Sequence, residues 1–215
     1  MSYIEVCHVT KSFKNQTVLK DVTMHLEKGK IYGLVGNNGS GKTVLMKCIC
    51  GFLMPDEGAV VVDGQKVGVD MDFPKNLGLI IETPGFLPKL SGKKNLVYLA
   101  KMRKKATESQ IEEAMRRVEL DPNLKRPVGN YSLGMRQRLG IAQAIMENPT
   151  LLILDEPFNG LDKAMTEKIR GLLLELKKEG KTILLASHQQ ADIDLLCDEV
   201  WEMDAGTLSL IRQSS

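Results

Sequence analysis

The sequence has few of the features that mark membrane-spanning, secreted or strongly charged proteins. Only 5% of its 215 residues are aromatic, and the formal net charge is +2. A net charge this small gives no support for nucleic-acid binding, and no nucleic-acid partner is expected. No apolar run approaches the roughly 18 to 20 residues that a bilayer-crossing helix needs. If the protein acts at a membrane, another chain must supply the crossing segment.

The sequence also has no paired C-x-x-C arrangement and no signal-peptide pattern at its start. We therefore interpret its four cysteines, Cys7, Cys48, Cys50 and Cys197, as buried thiols in a reducing cytosol. The composition, 43% hydrophobic and 26% charged, is typical of a soluble globular protein. We expect one domain, 1–215, whose core needs neither disulfides nor a structural metal.

The strongest motif is a glycine-rich loop between an apolar run, 31–35, and a helix-like run, 44–50. Its residues are Gly36, Asn37, Asn38, Gly39, Ser40, Gly41, Lys42 and Thr43. Such a loop points backbone N–H groups and the positive end of a helix dipole at one spot, which binds phosphate. We expect Lys42 to reach the β- and γ-phosphates of a nucleoside triphosphate and Thr43 to hold Mg²⁺. The complete spacing disfavours a mere connecting turn.

Hydrophobic periodicity places this loop in a fold of alternating strands and helices. Residues 3–9 and 17–26 alternate apolar and polar side chains and predict an antiparallel hairpin. Further strands are predicted at 31–35, 59–62, 77–81, 151–154, 182–186 and 199–203, and helices at 95–117, from Leu133 onward and at 162–178. The prediction is an α/β fold: a P-loop NTPase core with a mainly parallel sheet, the N-terminal hairpin, and an inserted helical subdomain at about 86–148.

Residues 95–117 have helical spacing, with Leu96, Leu99 and Met102 on one apolar stripe. Basic residues concentrate in the surrounding stretch, 89–138. The ordinary explanation is a solvated helical face. The alternative is a surface that meets an acidic partner or anionic lipid head groups.

Two carboxylates, Asp155 and Glu156, follow the apolar run 151–154. They lie where a doubly wound sheet presents its ligands. Asp155 is suited to hold Mg²⁺ together with Thr43, either as a direct ligand or by hydrogen-bonding to a ligand of the ion. Glu156 is placed to orient or deprotonate the water that attacks a γ-phosphate. The alternative is an acidic pair that only ends a strand and caps the next element.

A histidine, His188, follows the predicted strand 182–186, with Ser187 between them. An isolated histidine is more often a structural hydrogen-bonding residue than a catalyst. Here the neighbouring strand ends carry the phosphate loop and the two carboxylates. The favoured interpretation is therefore an imidazole that reaches the γ-phosphate.

The stretch 131–138, YSLGMRQR, predicts a second phosphate site at a helix N-terminus. Ser132 is a suitable N-cap, and Gly134 leaves the backbone N–H groups of the first turn approachable. Two such sites in one chain are redundant unless the second serves the nucleotide held by another copy of the protein.

Together these motifs resemble those of the nucleotide-binding subunit of ATP-binding cassette (ABC) transporters, over nearly the whole chain. GNNGSGKT resembles the Walker A loop, YSLGMRQR the family signature, LLILDEP the Walker B strand, NGLD the D-loop, and Ser187-His188 the switch histidine. The resemblance implies an ATP hydrolase that uses ATP and Mg²⁺ and works as a head-to-tail dimer. Ser132 and Gly134 of one copy would cover the ATP bound to Lys42 of the other.

The resemblance also implies a partner, a location and one more ligand contact. The partner is a transmembrane permease on a separate chain, which places this chain in the cytoplasm at the inner face of the cell membrane. Phe13 is at the position of the family's aromatic residue that stacks on adenine. From the residues alone, an ordinary turn aromatic that packs under the hairpin stays open as the alternative.

The chain departs from the family pattern at two places. The signature commonly reads LSGGQ, and here Leu133 replaces its first glycine and Met135 its glutamine, while Ser132 and Gly134 are kept. Glu82 stands where the family usually has a glutamine. A carboxylate ligates Mg²⁺ more strongly than an amide but adds negative charge near the γ-phosphate. An acidic turn residue that points to solvent is the alternative.

Two stretches, IIETPGFLP at 80–88 and YSLGMRQRL at 131–139, resemble a bacterial subgroup that exports, or confers immunity to, bacitracin and lantibiotic-type peptides. The alternative function is a soluble ABC ATPase that acts in complex assembly or repair rather than transport. The lack of a long coiled-coil insertion argues against the repair type. A P-loop kinase is disfavoured because it gains nothing from a water-activating Glu156.

Overall fold

The computed structural model describes residues 2–14, 16–82, 84–103 and 105–213. The strands are β1 (Ser2–Phe13), β2 (Gln16–Glu27), β3 (Ile31–Val35), β4 (Glu57–Val62), β5 (Gln65–Lys66), β6 (Leu77–Ile80), β7 (Leu151–Asp155), β8 (Thr182–Ala186), β9 (Glu199–Asp204) and β10 (Thr207–Gln213). The helices are α1 (Lys42–Cys50), α2 (Gly92–Arg103), α3 (Glu108–Arg117), α4 (Leu133–Ile145), α5 (Lys163–Lys178) and α6 (Gln190–Leu196).

The first two strands form the predicted antiparallel hairpin, in register from Ser2 opposite Glu27 to Phe13 opposite Gln16. The hairpin belongs to a four-stranded antiparallel sheet with the order β2-β1-β4-β5. Its alternation of buried and exposed residues follows from having one face on the core and the other toward solvent.

The second sheet has six strands in the order β10-β9-β3-β8-β7-β6. Five of them are parallel, and only β10 at the edge runs antiparallel to its neighbour. The predicted mainly parallel α/β core is confirmed. Parallel strands end at the same edge of a sheet, so the residues that follow β3, β7 and β8 come together there.

Helices cover both faces of the parallel sheet, and its strands are therefore apolar along their whole length. Within β7, Leu152 and Leu154 belong to one apolar cluster, which also holds residues of α3, α4, α5 and α6. Leu151 and Ile153 belong to the other cluster, with residues of α1 and the antiparallel sheet. Each fully buried side chain of this kind stabilises the fold by about 1.5–3 kcal/mol.

Three helices, α2, α3 and α4, lie between β6 and β7. The single helical stretch expected at 95–117 is instead two helices, because Thr107 caps α3 in a capping box with Gln110. Leu96 is buried as expected, but Met102 is 70% exposed, so the predicted apolar stripe does not extend that far. The grouping of these helices as a subdomain at 86–148 remains a proposal.

Close packing of α4 on the sheet depends on Gly78 of β6. A Cβ atom at this position would lie 2.0 Å from the carbonyl oxygen of Ala144, closer than any side chain tolerates. The glycine lets the backbone of the last turn of α4 approach the strand closely. Three cysteines, Cys48, Cys50 and Cys197, are buried as expected, and Cys7 is partly exposed.

Candidate functional site

A cleft of about 690 Å³ opens at the edge where the parallel strands end. We call it the strand-end cleft. The predicted site residues that line it are Asn38, Gly39, Gly41, Lys42, Thr43, Glu82, Asp155 and Glu156. Among the described residues the lining does not include Phe13, Gly36, Asn37, Ser40, Ser132, Gly134 and His188. The fold thus gathers the phosphate loop and all three predicted carboxylates around one space.

The glycines of the phosphate loop are required by the backbone. Gly41 caps α1 with φ of +117°, a left-handed conformation that side chains disfavour. At Gly36 a Cβ atom would lie 2.1 Å from the carbonyl oxygen of Met203. The helix ladder begins with the Leu45 amide on the Gly41 carbonyl. The N–H groups before Leu45 have no partner within the helix and are available to an anion at the cleft.

The lysine of the loop folds back over it. The Lys42 ammonium donates hydrogen bonds to the carbonyl oxygens of Gly36 at 2.7 Å and Asn37 at 3.0 Å. Lys42 is only 8% exposed, so a positive charge is held at the base of the cleft before any ligand enters. Ser40 is buried as well, and its hydroxyl has no hydrogen-bond partner among the described residues.

One hydrogen bond joins the first turn of α1 to the end of β7. The Thr43 hydroxyl donates to Asp155 Oδ2 at 2.8 Å. Hydroxyl and carboxylate oxygens are the ligands that Mg²⁺ prefers, and this ion usually takes only one or two of them from the protein. In the described part of the chain no group of three acidic, histidine or cysteine side chains forms a complete metal cage. The pair therefore fits an ion that is shared with a phosphate ligand.

The next residue, Glu156, faces the histidine. His188 Nδ1 lies 2.8 Å from Glu156 Oε2, and the side chain of Glu156 is 24% exposed. Glu156 has a left-handed backbone, with φ of +50°, which is uncommon for a residue with a side chain. Its carbonyl oxygen accepts a hydrogen bond from the Gln137 side chain at 3.1 Å. The unusual backbone is thus tied to α4.

The third carboxylate is held apart from the other two. Glu82 forms an ion pair with Lys47 of α1, and its side chain is 65% exposed. Lys47 follows Thr43 by four residues and therefore lies on the same face of the helix, one turn further along. Glu82 also has a left-handed backbone, with φ of +61°. In this structure its carboxylate is directed to a lysine and not to the Thr43–Asp155 pair.

The predicted second phosphate site lies beside the cleft, whose lining includes Leu133 but not Ser132 or Gly134. The Ser132 hydroxyl caps α4 by accepting a hydrogen bond from the Met135 amide at 3.2 Å. A Cβ atom at Gly134 would lie 2.6 Å from the carbonyl oxygen of Gly160, so this glycine lets the loop after β7 pack against the helix. Ser132 is exposed, and Leu133 is 57% exposed.

Phe13 lies at the end of the hairpin and is 42% exposed. The Lys11 ammonium lies 5.7 Å from the centre of its ring. At this exposure part of the ring is accessible from solvent.

Sequence patterns missed two cleft residues on α4. Arg136 and Gln137 line the cleft beside the phosphate loop. Both occur within the signature-like stretch, where the capping pattern indicates only Ser132 and Gly134. Helical spacing was the available signal, because Leu133 and Gln137 are four residues apart and share a face of α4. Leu133 also lines the cleft.

Comparison with known protein families gives a consistent result. The family model described as ABC transporter matches residues 19–159. The chain is 44% identical over 205 residues to an uncharacterized ABC transporter ATP-binding protein of Bacillus subtilis, covering 95% of this chain and 94% of that one. It is 43% identical to the bacitracin transport ATP-binding protein of Enterococcus faecalis, covering 95% of this chain and 67% of that protein. The lantibiotic transport ATP-binding protein of Streptococcus pyogenes is 36% identical, with 98% and 90% covered.

Solved structures show the same fold. An ATP-binding subunit of an ABC transporter superposes with a TM-score of 0.86 at 28% sequence identity, covering 98% of this chain and 90% of that chain. A dimeric bacterial ABC transporter cassette superposes with a TM-score of 0.87 at 24% identity, covering 97% and 99%.

Proposed function

The chain belongs to the ABC transporter family, and we propose that it is the ATP-binding subunit that hydrolyses ATP to drive a separate membrane permease. One observation supports this most directly. A phosphate loop with a preplaced lysine, a Thr43–Asp155 pair and Glu156, which His188 contacts, line a single cleft. Every helix in the described part of the chain is too short or too polar to span a bilayer.

We propose that the phosphate loop binds the triphosphate of ATP. The free amides at the start of α1 and the ammonium of Lys42 would hold the β- and γ-phosphate oxygens. Lys42 would exchange its contacts with the Gly36 and Asn37 carbonyls for phosphate contacts. Phe13 would stack on the adenine ring, because its exposed aromatic face suits a flat base.

Mg²⁺ would be held by Thr43 and Asp155, and it would offset the charge of the phosphates. Three carboxylates line the cleft beside the phosphate loop, so without a cation their repulsion would weaken binding of an anionic ligand. Glu82 is the proposed third oxygen ligand. To reach the ion its carboxylate would leave Lys47, and the loop after β6 would move with it.

Hydrolysis would use Glu156 and His188. The Glu156 carboxylate would orient the attacking water and accept its proton. His188 would donate a hydrogen bond to the γ-phosphate and hold Glu156 in place through its other ring nitrogen. Lys42 would stabilise the negative charge that develops on the transferred phosphoryl group.

We propose that the complete site forms between two copies of the chain. Ser132 is exposed and does not line the cleft of its own chain. It is therefore available, with Gly134, to the γ-phosphate of an ATP bound to Lys42 of a second copy. Turnover would then depend on closing and reopening the dimer.

The permease would dock on the helical side of the molecule, and the chain would lie at the inner face of the membrane. We propose the loop 82–91 and the basic region that follows it as the contact. Exposed apolar side chains occur there, Leu87 at 46%, Tyr98 at 53% and Met102 at 70% exposure. Since two similar proteins are named for bacitracin and lantibiotic transport, we propose a peptide of that kind as the cargo of an exporter.

The test is Glu156→Gln. We expect hydrolysis to fall by about a hundredfold to ten-thousandfold, the usual worth of a general base, while ATP binding is retained. With ATP and Mg²⁺ the variant should accumulate as a dimer, measured by size-exclusion chromatography with light scattering. Glu113→Gln, at an exposed position on α3, is the matched control. Normal steady-state hydrolysis by the Glu156 variant would count against the proposal.

A second measurement separates transport from a soluble role. The protein is purified in detergent from its own membranes and its partners are identified. An ATP-binding subunit brings down a hydrophobic multi-span chain, whereas a soluble assembly ATPase does not.

A further inference from the structure

A buried ion pair lies behind the histidine loop, between α5 and α6. Arg170 Nε donates to Asp192 Oδ1 at 2.9 Å, and Nη2 of the same guanidinium contacts the same oxygen. The side chain of Asp192 is 0% exposed and that of Arg170 is 11% exposed. A carboxylate this deeply buried stays ionised only if it is paired and hydrogen-bonded, so the two side chains hold each other in place.

The second oxygen of Asp192 reaches the histidine loop. It accepts a hydrogen bond from the Ser187 hydroxyl at 2.7 Å. The same hydroxyl accepts a hydrogen bond from the Gln189 amide at 3.2 Å. Ser187 and Gln189 are the two neighbours of His188, so one hydroxyl closes the backbone around this residue. The closed turn is fastened to Asp192.

His188 needs such support because its ring is not enclosed. Its side chain is 60% exposed, and it extends from the short segment between β8 and α6. Within the described part of the chain, the ring makes a hydrogen-bond contact with Glu156 Oε2. An exposed imidazole with one partner samples several rotamers unless its backbone is fixed.

We propose that Asp192, anchored by Arg170, is a positioning residue that acts through Ser187 to aim His188 at Glu156 and at the γ-phosphate. The inference rests on the proposed role of His188 in ATP hydrolysis. The chain of contacts runs from α5 to Asp192, to the Ser187 hydroxyl, to the His188 backbone and on to Glu156. Asp192 and Arg170 touch neither the nucleotide nor the reacting water, so their effect is indirect.

Ser187 is the position at which to test this chain. Removing Asp192 or Arg170 would leave an uncompensated buried charge, which unfolds many proteins. Ser187→Ala removes only the hydroxyl that links Asp192 to the histidine turn. Ser187→Thr keeps a hydroxyl and serves as the rescue variant. Ser12→Ala, which removes a hydroxyl hydrogen-bonded to Thr17 on the exposed hairpin, is the matched control.

The first readout is the histidine ring itself, in the nucleotide-free protein. The chain contains only three histidines, so ring ¹⁵N–¹H spectra are readily assigned with His188→Ala. In Ser187→Ala we expect the His188 signals to move most of the way toward those of His25, an exposed residue. Ser187→Thr and Ser12→Ala should leave them in place. The fluorescence of the single tryptophan, Trp201, reports that each variant is folded.

The second readout is the division of the effect between kcat and KM. Misplacement of a catalytic group lowers kcat, and we expect a loss on the order of tenfold or more in Ser187→Ala. KM for ATP should change little, because the phosphate loop is untouched. A purely structural role would lower the folded fraction and leave the His188 signals of the folded molecules unchanged.

The two readouts distinguish the inference from the proposed function. If His188 signals in folded Ser187→Ala match those of the unmodified protein, the positioning role is overturned, whatever the activity. If the signals move as expected but the unmodified protein does not hydrolyse ATP, the proposed function fails and the positioning of the ring stands.

Discussion

Two helix N-termini in this molecule look alike in sequence and differ in what surrounds them. The start of α1 faces the strand-end cleft, with Lys42 buried beneath it and Thr43 bonded to Asp155. The start of α4 is capped by Ser132, which is exposed, and it is followed by a 57% exposed Leu133. Both ends offer free N–H groups, but only the first is completed by groups from other strands.

The difference shows that the start of α4 lacks the additional groups that complete a phosphate site at the start of α1. Its inner face contributes Leu133, Arg136 and Gln137 to the cleft of its own chain. Its capping hydroxyl, that of Ser132, is not part of the lining. A surface that is exposed yet built with the same chemistry as a phosphate site fits the proposal that it completes the site of a second copy.

The largest expected effect is on nucleotide binding, which should depend on the start of α1 but not on the start of α4. Lys42→Ala removes the buried ammonium, and we expect ATP binding to weaken by about 1.5–3 kcal/mol, the worth of a hydrogen bond to a charged group. Ser132→Ala should leave ATP binding to the single chain within about twofold, because that hydroxyl lies outside the cleft. Fluorescent-nucleotide titration measures both values.

The control for Lys42→Ala is Lys28→Ala, which makes the same change of charge at a lysine paired with Asp63 on the surface. Its affinity for ATP should match that of the unmodified protein. If Ser132→Ala weakened binding to the isolated chain as much as Lys42→Ala, the contrast between the two ends would be wrong.

The second prediction tests whether the two ends meet across a dimer. Lys42→Ala and Ser132→Ala proteins should each hydrolyse ATP poorly. When they are mixed, one of the two sites in a heterodimer combines an intact Lys42 with an intact Ser132. We therefore expect the mixture to recover hydrolysis above the sum of the two separate proteins.

Heterodimers carrying both substitutions on one chain provide the control. Mixing the doubly substituted protein with the unmodified one places a defect in each site of the heterodimer, so activity should not rise above that of the unmodified fraction. Absence of recovery in the first mixture would argue for a site that is complete within one chain.

Much of this fold could be predicted because its signals are local. Unbroken apolar runs marked β3, β7 and β8, since strands buried on both faces have no polar positions. Ser132 and Asp162 marked the starts of α4 and α5, and both accept the capping hydrogen bond. The phosphate loop, Asp155, Glu156 and His188 followed from their places after predicted strands.

The features that the sequence did not predict depend on contacts between distant residues or have only weak sequence patterns. The sequence pattern gave no sign of α6, which has only seven residues, or of β10, a largely exposed edge strand. No local pattern marks Asp192 as buried, because its burial depends on an ion pair with Arg170 from another helix. Nor does any local pattern direct Glu82 to Lys47, which lies 35 residues away in the chain.

The smallest predicted effect concerns the two buried thiols of α1, Cys48 and Cys50. Helix α4 contains no cysteine. Burial raises the pKa of Cys48 to about 11 and that of Cys50 to about 12. The folded state therefore keeps protons that the unfolded state loses above about pH 8.5. Stability is fully present below that pH and falls as pH rises toward 12. Urea unfolding at about pH 8, 9.5 and 10.5 measures the fall.

Cys50→Ala removes one of these protons, so its free energy of unfolding should decline less steeply with pH, by about 1.4 kcal/mol per pH unit in the alkaline range. Ile49→Val is the matched control, because it trims a fully buried neighbour on the same helix without changing any titratable group. It should lower stability by about 0.5–1.5 kcal/mol equally at each pH. Equal slopes for the two variants would mean that the Cys50 thiol does not contribute to alkaline unfolding. A shallower slope for Cys50→Ala alone would tie the pH limit of the protein to the helix that carries the phosphate loop.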